Sequence, residues 1–219
     1  AIGYNAMLEA QGAVANNTAV GSSALQNITT GSYNVAVGSR CADALTDGAS
    51  NVFIGEFAGS TTTSVSNAVI IGQSAGGGGD MTASGTVAIG LSALGVLTSG
   101  IGNVAVGYQS QDANVSGDYN TSVGHSALGA LNVDGYNANT AVGYQAAMNL
   151  TLGQECIAIG MQALLSEDVG NRNIAIGTQS LYSQNTASAG HANNIGIGTF
   201  AGYRNVTGIN NTYVGHNAG

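Results

Sequence analysis

The sequence predicts an all-β protein, a parallel β-solenoid (β-roll) of about thirteen 17-residue coils. Three observations predict it. One phrase, typified by NTAVGYQA from Asn139 to Ala146, returns along the whole chain. β-Branched residues alternate with other residues just before its glycine. Proline is absent from all 219 residues, as expected where nearly every strand amide must donate to a neighbouring strand.

Aligned on that glycine, the copies fall at Gly3, Gly21, Gly38, Gly55, Gly72, Gly90, Gly107, Gly124, Gly143, Gly160, Gly177, Gly198 and Gly215. The spacings are 18, 17, 17, 17, 18, 17, 17, 19, 17, 17, 21 and 17. Seventeen is therefore the unit, and the departures are insertions. The array runs over residues 1–219 as one domain. It opens two residues before a motif glycine and closes inside another copy, so it reads as a segment of a longer fibrous chain.

Each element of the unit follows in order. The residue before the glycine is Val or Ile in all thirteen copies, and the residue three before it is Val, Ile or Thr in all twelve copies that contain it. Period-two β-branching reads as a short strand with one buried face. The glycine marks a corner that other residues resist. Three residues later every copy has Ala, Ser or Cys, for example Ala24, Cys41, Ala93, Ser110 and Ala163. Such a slot demands a small residue, so Cys41 reads as a buried small hydrophobe. Just upstream of the next turn a weaker apolar stretch, such as QNITT, ALTD, VLTS, NLTL or RNVT, reads as a second strand. A second turn follows at Gly31, Gly48, Gly100, Gly117, Gly153, Gly170 and Gly208. Asn then stands four before the motif glycine in nine of twelve copies: Asn17, Asn34, Asn51, Asn103, Asn120, Asn139, Asn173, Asn194 and Asn211. Stacked one per coil, these residues can form an amide ladder. Cys156 takes that slot once, without a reason visible in the sequence.

Equivalent positions of successive coils stack about 4.8 Å apart, so thirteen coils span on the order of 60 Å. The reading places the Val and Ile ladders inside. The core is then thin, since aromatic residues are 5% of the chain. Little apolar area is buried per residue against the entropy of ordering it. Association of chains would supply the rest, with the Ala and Ser ladder suited to close approach of neighbours. The expectation is a homo-oligomer, a trimer around the fibre axis. The two cysteines lie seven coils apart, roughly 33 Å, beyond the reach of an intrachain disulfide.

Composition excludes several classes. Charged residues are 6% of the chain, against about 25% in typical globular domains. Lysine is absent, the net charge is −8, and Arg40, Arg172 and Arg204 are scattered. Nucleic acid needs clustered cations, and so does an anionic membrane surface. No apolar run approaches the roughly 20 residues of a spanning helix.

The phrase TVAIGLSALG, Thr86 to Gly95, resembles the head repeats of YadA-like trimeric autotransporter adhesins. The wording from Asn139 to Ala146 is also similar to repeat regions of phage tail fibres. The resemblance runs along the whole chain and implies a homotrimeric, surface-displayed β-roll used in attachment, with no active site. The unit here is longer than in the adhesin heads, and no heptad stalk or anchor barrel is present in the segment.

Residues that could carry chemistry are few. The run GGGGD, Gly76 to Asp80, lacks the Lys and Ser/Thr of a phosphate loop. His125, His191 and His216 are too far apart for a metal set. Glu167 and Asp168 read as neighbours splayed on a solvated turn. No metal, cofactor or catalytic set is expected. The insertions at 132–138 and 183–193 can project from one face and bind, which makes Tyr136, Asn137 and His191 candidate ligand contacts. Tyr108 and Tyr144 follow motif glycines and would stack if they face outward.

The expected function is a non-enzymatic structural segment of a trimeric, extracellular attachment fibre, on a virion or a bacterial surface. Its partners would be its own copies and a cell-surface glycan or protein receptor. The competing reading is a glycan-binding solenoid head. An ice-binding solenoid is disfavoured, because Thr occupies the slot three before the glycine only at Thr18, Thr121, Thr140 and Thr212.

Overall fold

A computed structural model describes residues 1–10, 14–186 and 190–219 of the chain. Twelve three-residue strands form one parallel sheet: Thr18–Val20, Val35–Val37, Val52–Ile54, Val69–Ile71, Val87–Ile89, Val104–Val106, Thr121–Val123, Thr140–Val142, Ile157–Ile159, Ile174–Ile176, Ile195–Ile197 and Thr212–Val214. Spatial order equals sequence order, and each strand pairs with the same position of the next coil: Val35 lies beside Thr18 and Val52. This is a parallel β-solenoid. Eleven turns separate the first strand from the last, and a bridge from Ile2 to Val20 marks one more copy. The insertions do not disturb the register, since Thr121 still pairs with Thr140 and Ile174 with Ile195. Residues 187–189 of the longer insertion lie outside the described residues.

The alternation in each strand is as the sequence predicts, but its sense is reversed. The middle residue is the buried one: Ala36, Phe53, Ile70, Ala88, Ala141 and Ala158 are fully covered. The flanking Val37, Ile54, Val123 and Ile159 are 36–39% exposed. Period two separates the faces of a strand without saying which is inner. The opposite wall decides. Ala24, Cys41, Ala93, Ser110 and Ala163, three after the glycine, are buried inside the coil. They are therefore interior spacers, not the chain-to-chain contact expected of them. Two walls so close leave no room for paired rows of Val and Ile.

That interior is filled reciprocally. Where the middle strand residue is Ala19, Ala88, Ala158 or Ala175, the position four after the glycine is Leu25, Leu94, Leu164 or Leu181. Where it is Phe53 or Ile70, that position is Gly59 or Gly76. A Cβ on Gly59 would collide with the Phe53 ring. In these coils a bulky residue on one wall meets a small one on the other, as close packing requires, whereas Ala36 with Ala42 and Ala141 with Ala147 are small on both.

The expected second strand, QNITT and its equivalents, is turn and bend, and a tight turn precedes it. The second and fourth residues after the glycine are left-handed: Ser23 and Leu25 have φ of 57° and 49°, Gln162 and Leu164 of 55° and 54°. Alternating left-handed residues curl the chain, yet their amides still bond across coils, Ser23 N–H to Tyr4 O and Leu25 N–H to Cys41 O. Such torsions cost non-glycine residues about 1–2 kcal/mol each and persist because neighbouring coils fix them. Among the described residues, the opposite wall forms strands at two places: Gly117–Asp118 pairs with Gly135–Tyr136, and Gly170–Asn171 with Gly190–His191. The motif glycine is required twice over. At Gly143, φ is 135°, and a Cβ would stand 2.6 Å from the Gly160 carbonyl oxygen in the next coil.

The asparagines form a hydrogen-bonded ladder. Asn34 Oδ1 accepts from Asn51 N–H at 3.1 Å, while Asn34 Nδ2 donates to Gly48 O at 2.8 Å. The same pair of bonds recurs at Asn139, to Cys156 N–H and to Gly153 O. This explains Cys156. Its thiol donates to Gly170 O at 3.3 Å, the carbonyl fourteen residues on that an asparagine amide would reach. Both cysteines are free and buried. Burial pushes both thiols up to about 12.

The buried apolar residues fall into two clusters, one from Ala19 to Ala105 and one from Ala127 to Leu181. Between them one coil is filled with polar side chains. Ser110 Oγ and Ser122 Oγ are 2.5 Å apart. Gln111 Nε2 donates to Ser122 Oγ at 2.8 Å and to Val104 O at 3.0 Å. Asn114 Nδ2 donates to Gln111 Oε1 at 3.2 Å.

Glu167 corrects the expectation of a solvated turn, because its side chain is fully buried. It sits seven after its glycine, the column that holds Leu45, Leu97, Leu131 and Leu150 elsewhere. The carboxylate accepts from Gly170 N–H at 2.9 Å, Thr186 N–H at 3.1 Å, Thr186 Oγ1 at 3.0 Å and Asn173 Nδ2 at 3.2 Å. A buried carboxylate without a cation is sustained by such a set of donors. Thr186 belongs to the longest insertion, so Glu167 pins that loop to the coil beneath it.

Candidate functional site

The residue just after the motif glycine points outward, and in three consecutive coils it is aromatic. Tyr108 and Tyr144 are 44% and 47% exposed. They do not touch each other directly, because His125 stands between them. Its ring centroid lies 4.8 Å from that of Tyr108 and 5.3 Å from that of Tyr144. The result is an exposed three-rung ladder running along the solenoid. His125 was weighed in the sequence only as a metal ligand and was not among the expected ligand contacts. Its shared position with the tyrosines, one after the glycine, was the available signal.

None of the three rings lines a hollow, but the residues that follow two of them, Gln109 and Ser126, line a shallow trough on the turn side. One part of it, about 250 Å³, is lined by Gln109, Asp112, Ser126, Gly129 and Asn149 among others. The next part, about 380 Å³, shares Gln109 and Asp112 and continues past Gly95 and Ser92 to Ser74. Ser126 Oγ lies 3.0 Å from His125 Nδ1, which joins ladder to trough. Burial raises the Asp112 carboxyl above its ordinary value, partly offset by its own backbone N–H.

The other candidates lie elsewhere. Tyr136 is 58% exposed and neighbours Tyr119, with ring centroids 5.9 Å apart. Asn137 is fully buried, and its Oδ1 accepts from Asn120 Nδ2 at 3.2 Å. It extends the asparagine ladder across the insertion and presents nothing to solvent. His191 Nε2 lies 3.1 Å from Arg172 Nη1, and Arg172 Nε donates to Glu155 Oε2 at 2.6 Å. Tyr136 and His191 sit in two different short strand pairs and are not brought together. Asp80 of the glycine run accepts from Thr63 N–H at 2.9 Å and Thr63 Oγ1 at 3.0 Å, a role within the coil stack. Among the described residues, no three His, Cys, Asp or Glu side chains gather as a metal set.

The chain matches no family model, no curated protein and no solved structure. Its functional reading therefore rests on its own geometry.

Proposed function

We propose that this chain is a structural segment of a homotrimeric extracellular fibre that serves attachment, as in a virion tail fibre or a bacterial surface adhesin. The observation that carries the reading is the outward face of the sheet. Two columns of Val, Ile and Thr run along all twelve strands, and Val37, Ile54, Ile159, Ile176 and Ile197 are 36–40% exposed in the single chain. A contiguous apolar stripe of this length marks an interaction surface. The stripe is only three residues wide, about 10 Å. Such a narrow ridge suits a position around a shared axis with two copies of itself. A closed cyclic arrangement would cover every stripe at once.

The test is solution mass with hydrodynamic radius. A mass near three times 21.5 kDa, about 65 kDa, with an extended radius, is the expected result. Introducing Val106→Arg and Ile159→Arg on the outward face should dissociate the assembly. A compact monomer, or an assembly indifferent to both charges, would remove the reading.

A further inference from the structure

We propose that the coils from Gly107 to Asn149 carry a binding site for a neutral oligosaccharide, with the Tyr108–His125–Tyr144 ladder and the adjoining trough as its two walls. This goes beyond the fibre reading and does not depend on it, since every group lies on one chain.

Three observations converge. The ladder offers exposed ring surface and polar ring edges in a row, at spacings of 4.8 and 5.3 Å. Aromatic groups with a polar handle suit a ligand that alternates apolar C–H faces with hydroxyls. The trough supplies neutral donors and acceptors from Gln109, Ser126 and Asn149 and one carboxylate from Asp112. Few convergent polar groups in a concave site are what fix a ligand's orientation. The Ser126–His125 contact makes the two walls one surface.

The same groups specify the ligand. None of Arg40, Arg172 and Arg204 lines either part of the trough, and the chain's net charge is −8. A sulfated, sialylated or phosphorylated ligand would meet no cation and would be repelled by Asp112. Hydroxyl groups, in contrast, can donate to the Asp112 carboxylate and exchange bonds with the amides. The two hollows meet at Gln109 and Asp112 and together extend over five coils from Ser74 to Asn149, about 19 Å at the interstrand spacing. That length fits an extended chain of sugars better than a single ring. Gly129 leaves the wall beside Asp112 open, and a Cβ there would come within 3.6 Å of Asp112 Oδ1.

The test applies the intact chain to an array holding neutral, sialylated and sulfated oligosaccharides. The best neutral tetrasaccharide is then titrated against tyrosine emission, which is readable because the chain has no tryptophan. Neutral glycans should be retained and anionic ones not. Tyr108→Ala with Tyr144→Ala should weaken binding at least tenfold, and Asp112→Asn several-fold, with circular dichroism unchanged. Tyr33→Ala, an exposed tyrosine in another column, should leave binding as it was. Retention of no neutral glycan would overturn the proposal. So would equal retention of sulfated glycans, or an affinity indifferent to the ladder and to Asp112. The fibre reading is judged separately, from the mass of the same sample.

Discussion

The two halves of the solenoid share one backbone and differ in what fills it. In the column seven after the glycine, Ile28, Leu45, Leu97, Leu131 and Leu150 are apolar and Thr62 is polar; toward the carboxy-terminal end the column turns to Glu167, Gln184 and Asn205 in three successive coils. Between the two halves Ser110, Gln111, Asn114 and Ser122 fill one coil with polar atoms. The sheet passes through all of it without a change of register. The coil outline is therefore set by the glycine, the small residue and the asparagine ladder. The filling is apolar in some coils and polar in others, with the polar atoms of Gln111, Asn114 and Glu167 hydrogen-bonded. The polar fillings also have a place. Both insertions lie directly above a coil with a polar residue in that column, Asn114 and Glu167, and the second donor set shows why: Thr186 of the loop bonds to Glu167.

The largest effect should come from breaking the shared outline. Gly143→Ala puts a Cβ 2.6 Å from the next coil's carbonyl at a φ of 135°. It should cost more than about 3 kcal/mol in denaturant unfolding. Next come the fillings themselves. Phe53→Ala should cost about 3–5 kcal/mol. Adding Gly59→Leu should restore most of that loss by recreating the Ala88–Leu94 arrangement. A double variant no more stable than the single one would refute reciprocal filling.

The polar coil sharpens the comparison. Asn114→Leu alone strands Gly117 N–H and Gln111 Oε1, and should cost about 2–3 kcal/mol. Replacing Ser110, Gln111, Asn114 and Ser122 together with Ala, Leu, Leu and Ala removes both partners of the side-chain bonds and leaves Gly117 N–H stranded, so it should cost less than the single variant, about 1–2 kcal/mol. Thermal unfolding of the two variants decides it.

The cysteines report each half separately, Cys41 in the first cluster and Cys156 in the second. Burial holds both thiols up to about 12, above their ordinary 9.0. Folded thiols keep their protons where unfolded ones lose them. Their contribution to stability is full below about pH 9 and drains as pH rises toward 12, by at most about 1.4 kcal/mol per unit and thiol. Stability measured from pH 8 to 11 should fall accordingly, and less in Cys41→Ala. The smallest effect is at the left-handed turns. Ser50→Gly, at φ 61°, should change stability by less than about 1 kcal/mol.

Much of this was legible in the sequence. Thirteen phased glycines gave the stack, and nine phased asparagines gave its ladder. The facing of the strands was not legible, because Val-Ala-Val alternates equally well either way round; only the opposite wall of Ala24, Ala93 and Ala163 chooses. The second strand was misread because stretches such as QNITT at 26–30 and VLTS at 96–99 look extended in one dimension, while the chain there runs through turn and bend. Glu167 was misread because its donors, Asn173 and Thr186, come from 6 and 19 residues away. For the candidate site, Tyr108 and Tyr144 stood out by position, but Asp112 and the trough depend on side chains from five coils and had no linear signature.

The amide ladder has a mechanical consequence. Its hydrogen bonds, like those of the sheet, point from coil to coil, so a pull along the solenoid loads them in series. Strength under tension then does not grow with the number of coils; the weakest junction yields first. Each coil that peels away frees 17 residues, about 60 Å of slack. Stretching a single chain should therefore give steps of that size, and a bundle of copies would share the load that one chain alone must shed.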